Sequence, residues 1–306
     1  MNKLLARLMP NNPGRAVVIG VPYLWLVLFF LLPFLIVMKI SVSEMNVGQP
    51  PFKPLTEMVD NFLNIRVYLG NFISLFDVAN DDLYARTYLS SLKYAAWTTI
   101  FCLVIGFPFA YFMARARPTI RPALLMLVMM PFWTSFLLRV YAWKAILTTN
   151  GVFNQILIGL GIIGEPLHML HTPFSLMIGM VYVYLPFMIL PLYANLVKLD
   201  GRLLEAAADL GATPWQRFWL VTVPLSKSGI IAGSMLVFIP CVGEFVIPEL
   251  LGGPETLMIG RVLWDELFSN NDWPRAAAVA VVTILLIIVP LAIFNKYQAE
   301  SQGERT

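Results

Sequence analysis

Glu205, Ala206, Ala207, Ala208, Asp209, Leu210 and Gly211 form a compact run, with Pro224 thirteen residues after its glycine, between two strongly apolar stretches. The chemistry such a run offers is docking rather than bond-making. Asp200 carries an acceptor suited to capping a first short helix, and Gly211 suits its left-handed exit. Thr213, Pro214, Trp215 and Gln216 read as a capping box with proline at the first helical position of a second helix, which Pro224 then limits. The alanines keep one side of the first helix slim enough to enter a groove. Glu205 either pairs with a basic group on a partner or complements the positive end of its own helix. A short helix lying on a membrane surface shows the same pattern, so the residues alone leave both readings open.

Two charges fall inside apolar stretches. Glu244 lies 17 residues beyond Lys227, about 25 Å along a helix, which places it in the outer third of a bilayer. Arg139 lies a similar distance beyond Pro122. An ionisable group at that depth needs water, a partner or a cavity. Either the two neutralise each other and hold two helices together, or Glu244 faces a pathway and meets a cation. In the second case Gly243 lets the backbone bend and Phe245 offers a ring for cation–π attraction.

Other chemistries lack their residues. No glycine-rich loop ends in Gly-Lys-Ser/Thr, so the sequence offers no means of binding ATP. The two histidines, His168 and His171, have only Glu165 as a nearby carboxylate, and a metal site is not expected there. Cys102 and Cys241 both fall in apolar stretches and count as small core residues. A hydrolytic triad, a redox centre and a nucleic-acid-binding basic arm all go unsupported.

The elements that position these residues are membrane helices. The chain has 306 residues, 58% of them hydrophobic and 13% charged, with a mean hydropathy of +0.74. That excludes a soluble domain of ordinary composition. Six stretches, near 18–40, 88–113, 122–143, 173–197, 227–248 and 275–295, reach the roughly 20 residues needed to cross a bilayer. The first follows basic residues, but its length favours a retained span over a cleaved signal. The organisation expected is a segment 1–17, one six-span domain 18–295 with a loop at 198–227, and a tail 296–306.

Each stretch contains proline, among them Pro33, Pro108, Pro131, Pro186, Pro240 and Pro290. Such kinks suit a protein that opens and closes a path, although proline is in any case common in membrane helices. Gly229 and Gly233 form a GxxxG element that packs either within the subunit or against a second one.

Lys and Arg set the orientation. With both termini inside, segments 1–15, 114–121, 198–227 and 295–306 hold twelve of the 21 Lys and Arg residues, while the outer segments are acidic. This places the Glu205 loop in the cytoplasm.

The spacing of Glu205, Ala206, Ala207, Gly211, Val221, Val223 and Pro224 resembles the coupling motif of permease subunits of ATP-binding-cassette importers. The stretches Trp133–Trp143 and Gly243–Gly253 are similar to the putrescine/spermidine branch, the putrescine side above all. The likeness runs from about Pro22 to Pro290. It implies an all-α, type I importer permease fold in a bacterial inner membrane and no enzymatic activity in this chain. It also implies two cytoplasmic ATPase subunits that bind ATP and Mg, a second permease subunit and a periplasmic polyamine-binding protein. By resemblance the ATPase-coupling residues are Glu205, Ala206, Ala207, Gly211 and Pro224, and Glu244, Trp133 and Arg139 are the candidates for the substrate path. The alternatives are an importer for spermidine or another small ion such as a phosphonate or a metal chelate, and, from other classes, an ion-coupled secondary transporter or a membrane enzyme. The short length without an inverted repeat weighs against the secondary transporter.

Overall fold

The computed structural model describes residues 13–59, 62–77 and 82–303. Lys3, Arg7 and Arg305 of the basic ends, and Asp60 and Asp81 of the acidic outer segment, lie outside them. The architecture is all-α apart from one hairpin. Two compact units emerge, one holding the chain as far as Asp77 with Glu266–Val282, the other the rest.

In the first unit, α1 (Pro13–Leu26) passes through a π turn (Val27–Leu31) into α2 (Leu32–Ser41). The π turn ends two residues before Pro33, with Leu32 N–H donating to the Val27 carbonyl. The widened turn makes room for a ring that would otherwise press on the preceding turn of helix. No apolar side chain of Val17–Ser41 is fully buried, which suits contact with lipid. The long loop after α2 then folds back. β1 (Thr56–Val59) pairs antiparallel with β2 (Phe62–Ile65), and α3 (Gly70–Phe76) follows. The buried Asn71 ties the loop to the helix end by donating from Nδ2 to the carbonyls of Ser41 (2.9 Å) and Ser43 (2.8 Å). The hairpin has no counterpart in the hydropathy pattern.

The second unit is built on α4 (Leu83–Arg115), α8 (Pro173–Leu196) and α12 (Lys227–Val242). α8 is the central helix, with Leu176, Met180, Met188 and Leu192 fully buried. Lipid tails are as apolar as these side chains, so close packing rather than hydrophobicity selects the partners. Small residues permit it. A Cβ on Gly106 of α4 would lie 3.2 Å from Met188, and one on Gly233 of α12 would lie 2.8 Å from the Met188 sulfur. A Cβ on Gly229 would meet Asn195 at 2.7 Å. The GxxxG element therefore packs within the subunit, against α8. Cys102 and Cys241 are free thiols in the same core.

Among the described residues, four helices are long and apolar enough to cross a membrane, Val17–Ser41, Leu83–Arg115, Pro173–Leu196 and Trp273–Ala292. The last belongs to α15 (Trp273–Gly303). Two bent pairs raise the number to six when each is taken as one span. The expected third stretch is one of them. α5 (Arg121–Met129) runs into a 3₁₀ turn (Met130–Trp133), and the chain then bends by 86° into α6 (Phe136–Leu147), which leads to α7 (Val152–Gly159). Pro131 and the Thr134 hydroxyl, which donates to the Pro131 carbonyl at 2.8 Å, mark the break. Arg139 stands beyond the bend, so its depth does not follow from a straight helix starting at Pro122.

The close approach of α12 to α8 is testable. Gly233→Val should destabilise the detergent-solubilised subunit by about 1–3 kcal/mol, the range for overpacking. Gly20→Val, where a Cβ meets nothing within 4 Å, should leave the melting temperature nearly unchanged.

Candidate functional site: a capped loop and a cleft with one acid and one base

The loop after α8 folds as its capping residues dictate. α9 (Arg202–Asp209) starts with the Asp200 carboxylate accepting from the Arg202 N–H at 3.0 Å, Gly201 standing between them. It ends in a Schellman motif. Gly211 has φ +86°, its N–H donates to the Ala208 carbonyl (2.9 Å), and the Ala212 N–H donates to the Ala207 carbonyl (3.0 Å). The Thr213–Gln216 capping box is complete. It opens α10 (Pro214–Arg217), which continues through a π turn (Phe218–Thr222) into α11 (Val223–Leu225). That π turn again ends two residues before a proline, Pro224, and the helix stops at Leu225.

Two side chains moor the loop. Leu204 is 6% exposed and shares a small cavity with Tyr111 and Arg115 at the end of α4. Phe218 sets its ring edge-on to Phe107 at 5.4 Å. With Leu204 turned inward, Glu205, Ala206, Ala208, Asp209 and Leu210 face outward, and Leu210 is 88% exposed. Leu203 is exposed as well, and Ala207 is half-buried beside Leu204. Glu205 has no ion-pair partner among the described residues and sits in the first turn, where its charge complements the helix dipole. The loop meets α12 at a bend of 67° between Leu225 and Lys227.

At the other end of α12 the expected fifth stretch breaks. α12 stops at Val242, and α13 (Val246–Leu251) begins four residues later. Glu244 occupies the break. Its Oε1 accepts from the N–H groups of Phe245 (3.2 Å), Val246 (3.0 Å) and Ile247 (3.4 Å), while Oε2 accepts a hydrogen bond from the Tyr184 hydroxyl. The carboxylate therefore caps a helix start that would otherwise expose unpaired amides at membrane depth. Gly243 has an unexceptional φ of −94°, and a Cβ there would meet nothing. The glycine this bend needs is Gly260 of α14 (Ile259–Trp264), where a Cβ would fall 2.5 Å from the Gly243 carbonyl oxygen and 2.6 Å from that of Glu244.

Glu244 and Arg139 line one cleft of about 820 Å³, whose walls are otherwise aromatic and aliphatic apart from Tyr184. They do not form an ion pair. Arg139 has none among the described residues, and its Nε and Nη1 are shielded without a hydrogen-bond partner. Its guanidinium lies over Phe132 (5.4 Å) and Phe136 (5.9 Å), one ring on each side of the 86° bend. Phe132 meets Phe187 edge-on at 5.2 Å, and Phe187 lies 6.2 Å from Tyr184. Of the two readings open from the sequence, mutual neutralisation of Glu244 and Arg139 is not what forms: the carboxylate is held by amides and a phenol, and the guanidinium by rings.

Trp133 is 68% exposed and does not line this cleft, where its neighbour Phe132 does. Phe245 also turns away. It stacks on Trp264 at 4.5 Å and lines a separate, smaller pocket, because successive residues at the break point to opposite sides. The aromatic residues around Glu244 are instead Tyr184 and Phe187, one helical turn apart on α8, and that spacing was the available signal. No group of metal-ligating residues forms among the described residues. His171 has a structural role, its Nδ1 lying 2.8 Å from the Gly252 carbonyl oxygen and its N–H donating to Leu251.

Comparison with known proteins places this geometry. Residues 96–300 match the family of binding-protein-dependent transport system inner membrane components. The chain is 40% identical over 289 residues to the spermidine/putrescine transport system permease protein PotB of Haemophilus influenzae, covering 94% of this chain and 95% of that protein. It is 39% identical over 270 residues to PotB of Escherichia coli, covering 88% and 92% respectively. A bacterial ABC transporter involved in the import of the acidic polysaccharide alginate has the same fold, with a TM-score of 0.67 at 16% identity over 93% of this chain and 94% of that one. The chain belongs to the family of binding-protein-dependent transport system inner membrane components, and is a multi-pass inner-membrane permease subunit.

The cap at Glu244 predicts a stability effect. Glu244→Ala should destabilise the purified protein by about 1–2 kcal/mol, the usual cost of losing a helix cap, and Glu244→Gln by less, since it keeps one acceptor. Thermal melts in detergent check the order.

Proposed function

We propose that this chain is the membrane-spanning permease of an ATP-driven importer of polyamines, putrescine first, and that its Glu205 loop receives a cytoplasmic ATPase. The observation that carries the docking reading is the rigid, capped helix α9, moored by Leu204 and Phe218 and presenting Glu205, Ala206 and Leu210 outward. Ala207 backs this face, and Gly211 and Pro224 fix where its two helices end. ATP and Mg belong on the ATPase, and the membrane assembly takes a second permease subunit of similar type. A periplasmic polyamine-binding protein delivers substrate to the opposite face. Support for the amine comes from the names of the two PotB relatives and from the single carboxylate of the cleft. The excess of Lys and Arg in the loop and terminal segments supports cytoplasmic N- and C-termini.

ATP-driven closure of the ATPases draws the coupling loops together, and the 67° joint passes that displacement to α12, at whose far end Glu244 sits. Glu244 offers a passing ammonium group a modest attraction, since a site that bound a dication tightly would not release it.

Gly211→Val tests the docking role. A β-branched residue at φ +86° costs about 1–2 kcal/mol of backbone strain and displaces α10. Uptake should fall at least several-fold while the subunit still accumulates, and Gly211→Asn, which tolerates this conformation, should restore much of it. Normal uptake by the valine variant would remove the loop from coupling. Orientation is tested by fusing a reporter active only outside the cytoplasm after residue 265 and, separately, after residue 300. Activity is expected from the first fusion only, and activity from the second would reverse the topology.

A further inference from the structure

The cleft shared by Glu244 and Arg139 holds one anionic and one cationic side chain among the described residues, and they are not paired. The two charges are balanced by different means. Glu244 is satisfied by three amides and the Tyr184 hydroxyl. The guanidinium of Arg139 rests on two phenyl faces, which leave its full positive charge unneutralised. A stacked Arg braces the 86° bend, but a neutral side chain packed between Phe132 and Phe136 would brace it as well. What only a cation adds is a repulsive field inside a cleft that offers a single carboxylate.

We propose that Arg139 is a specificity-determining residue that limits how many positive charges an amine brings into the cleft, favouring a short diamine over a longer triamine. This rests on the reading that the cleft is the amine path. One ammonium group sits at Glu244, the methylene chain lies along Phe187 and Phe132, and the second ammonium group leaves by the open side of the cleft. A longer chain carries an additional ammonium group between its ends, and that group has no second carboxylate and meets the field of Arg139. Discrimination of this kind works by rejection, with a like charge built against the wrong ligand.

The test is uptake of labelled putrescine and spermidine by the complete complex in cells that have no other amine importer. The readout is the spermidine-to-putrescine ratio of uptake efficiency. Arg139→Met and Arg139→Gln should raise the ratio at least about threefold, the scale of a partly screened charge interaction, whereas Arg139→Lys should leave it unchanged. A purely bracing role lowers uptake of both amines together and leaves the ratio fixed. Leu236→Lys, at a half-exposed position of the same cleft, adds a charge without disturbing Arg139 and should lower the ratio, so the inference stays testable if the neutral variants do not accumulate. An unchanged ratio in the accumulating neutral variants, an equal rise in Arg139→Lys, or an unchanged ratio in Leu236→Lys overturns it. Glu244→Gln separates the two readings. If it lowers uptake of both amines while the Arg139 and Leu236 variants leave the ratio fixed, only this inference falls; if none of the variants changes uptake of either amine, the cleft is not the path.

Discussion

In hydrocarbon a helix cannot simply stop, because its first amides would have neither water nor carbonyl to accept them. The organisation of the second unit turns on how this chain meets that constraint between Val242 and Val246. One carboxylate replaces the backbone bonds lost at the break, and in doing so fixes the start of α13. From there α13 lays Ile247 and Leu251 against Gly179, where a side chain would collide with them. The Leu251 carbonyl accepts from Ser175 Oγ at 2.7 Å, and Gly252 is bound by His171. Contacts that descend from the Glu244 cap therefore help to position the N-terminal end of α8, beside its own Thr172–Ser175 capping box and the Thr98 contact with Met177. The same acid edges the cleft, so the residue that makes the break tolerable also gives the cleft its only negative side chain among the described residues.

At the opposite end of α12 the solution is local instead of tertiary. The Asp200 turn onto the Arg202 N–H, the Schellman motif and the capping box satisfy the backbone of the loop with residues within a few positions of one another. Such a unit keeps its shape while it moves, since few of its own hydrogen bonds reach outside it. Phe218 and Leu204 moor it to the end of α4 by contact alone, which permits sliding more readily than a hydrogen-bonded junction would. A short rigid loop on a bent joint and a capped break at the far end make α12 a connecting rod between the two regions.

This division explains what the sequence disclosed. Helix caps and the left-handed Gly211 were legible because they depend on side chains within four residues of the group they serve. Four of the six apolar stretches were legible as single spanning helices because bilayer thickness sets a length that composition reveals, and the other two emerge as bent pairs. The 86° bend was not, since hydropathy records how apolar a stretch is and nothing of its direction; only Pro131 with Thr134 hinted at it. The orientation of Phe245 was missed for a related reason. Neighbours in sequence, Glu244 and Phe245 send their side chains to opposite sides of an irregular backbone, whereas Tyr184, 60 residues away in sequence, reaches the carboxylate. Gly243 drew attention by its position, yet the steric demand falls on Gly260, whose only fault in the sequence is to lie in an unremarkable segment.

The pairing of charges follows the same logic. From sequence, an acid and a base at membrane depth suggest each other as partners, because an unpaired charge there is costly. The chain avoids that solution by giving each its own support. Had the two paired, the cleft would contain a neutral, internally satisfied bridge with nothing to offer a passing ion. Held apart, a carboxylate already bonded to amides and a phenol attracts a cation only weakly, and a guanidinium already stacked on rings repels one without collapsing onto the acid. Weak attraction opposed by a nearby like charge is the condition under which a polycation enters a cleft and also leaves it.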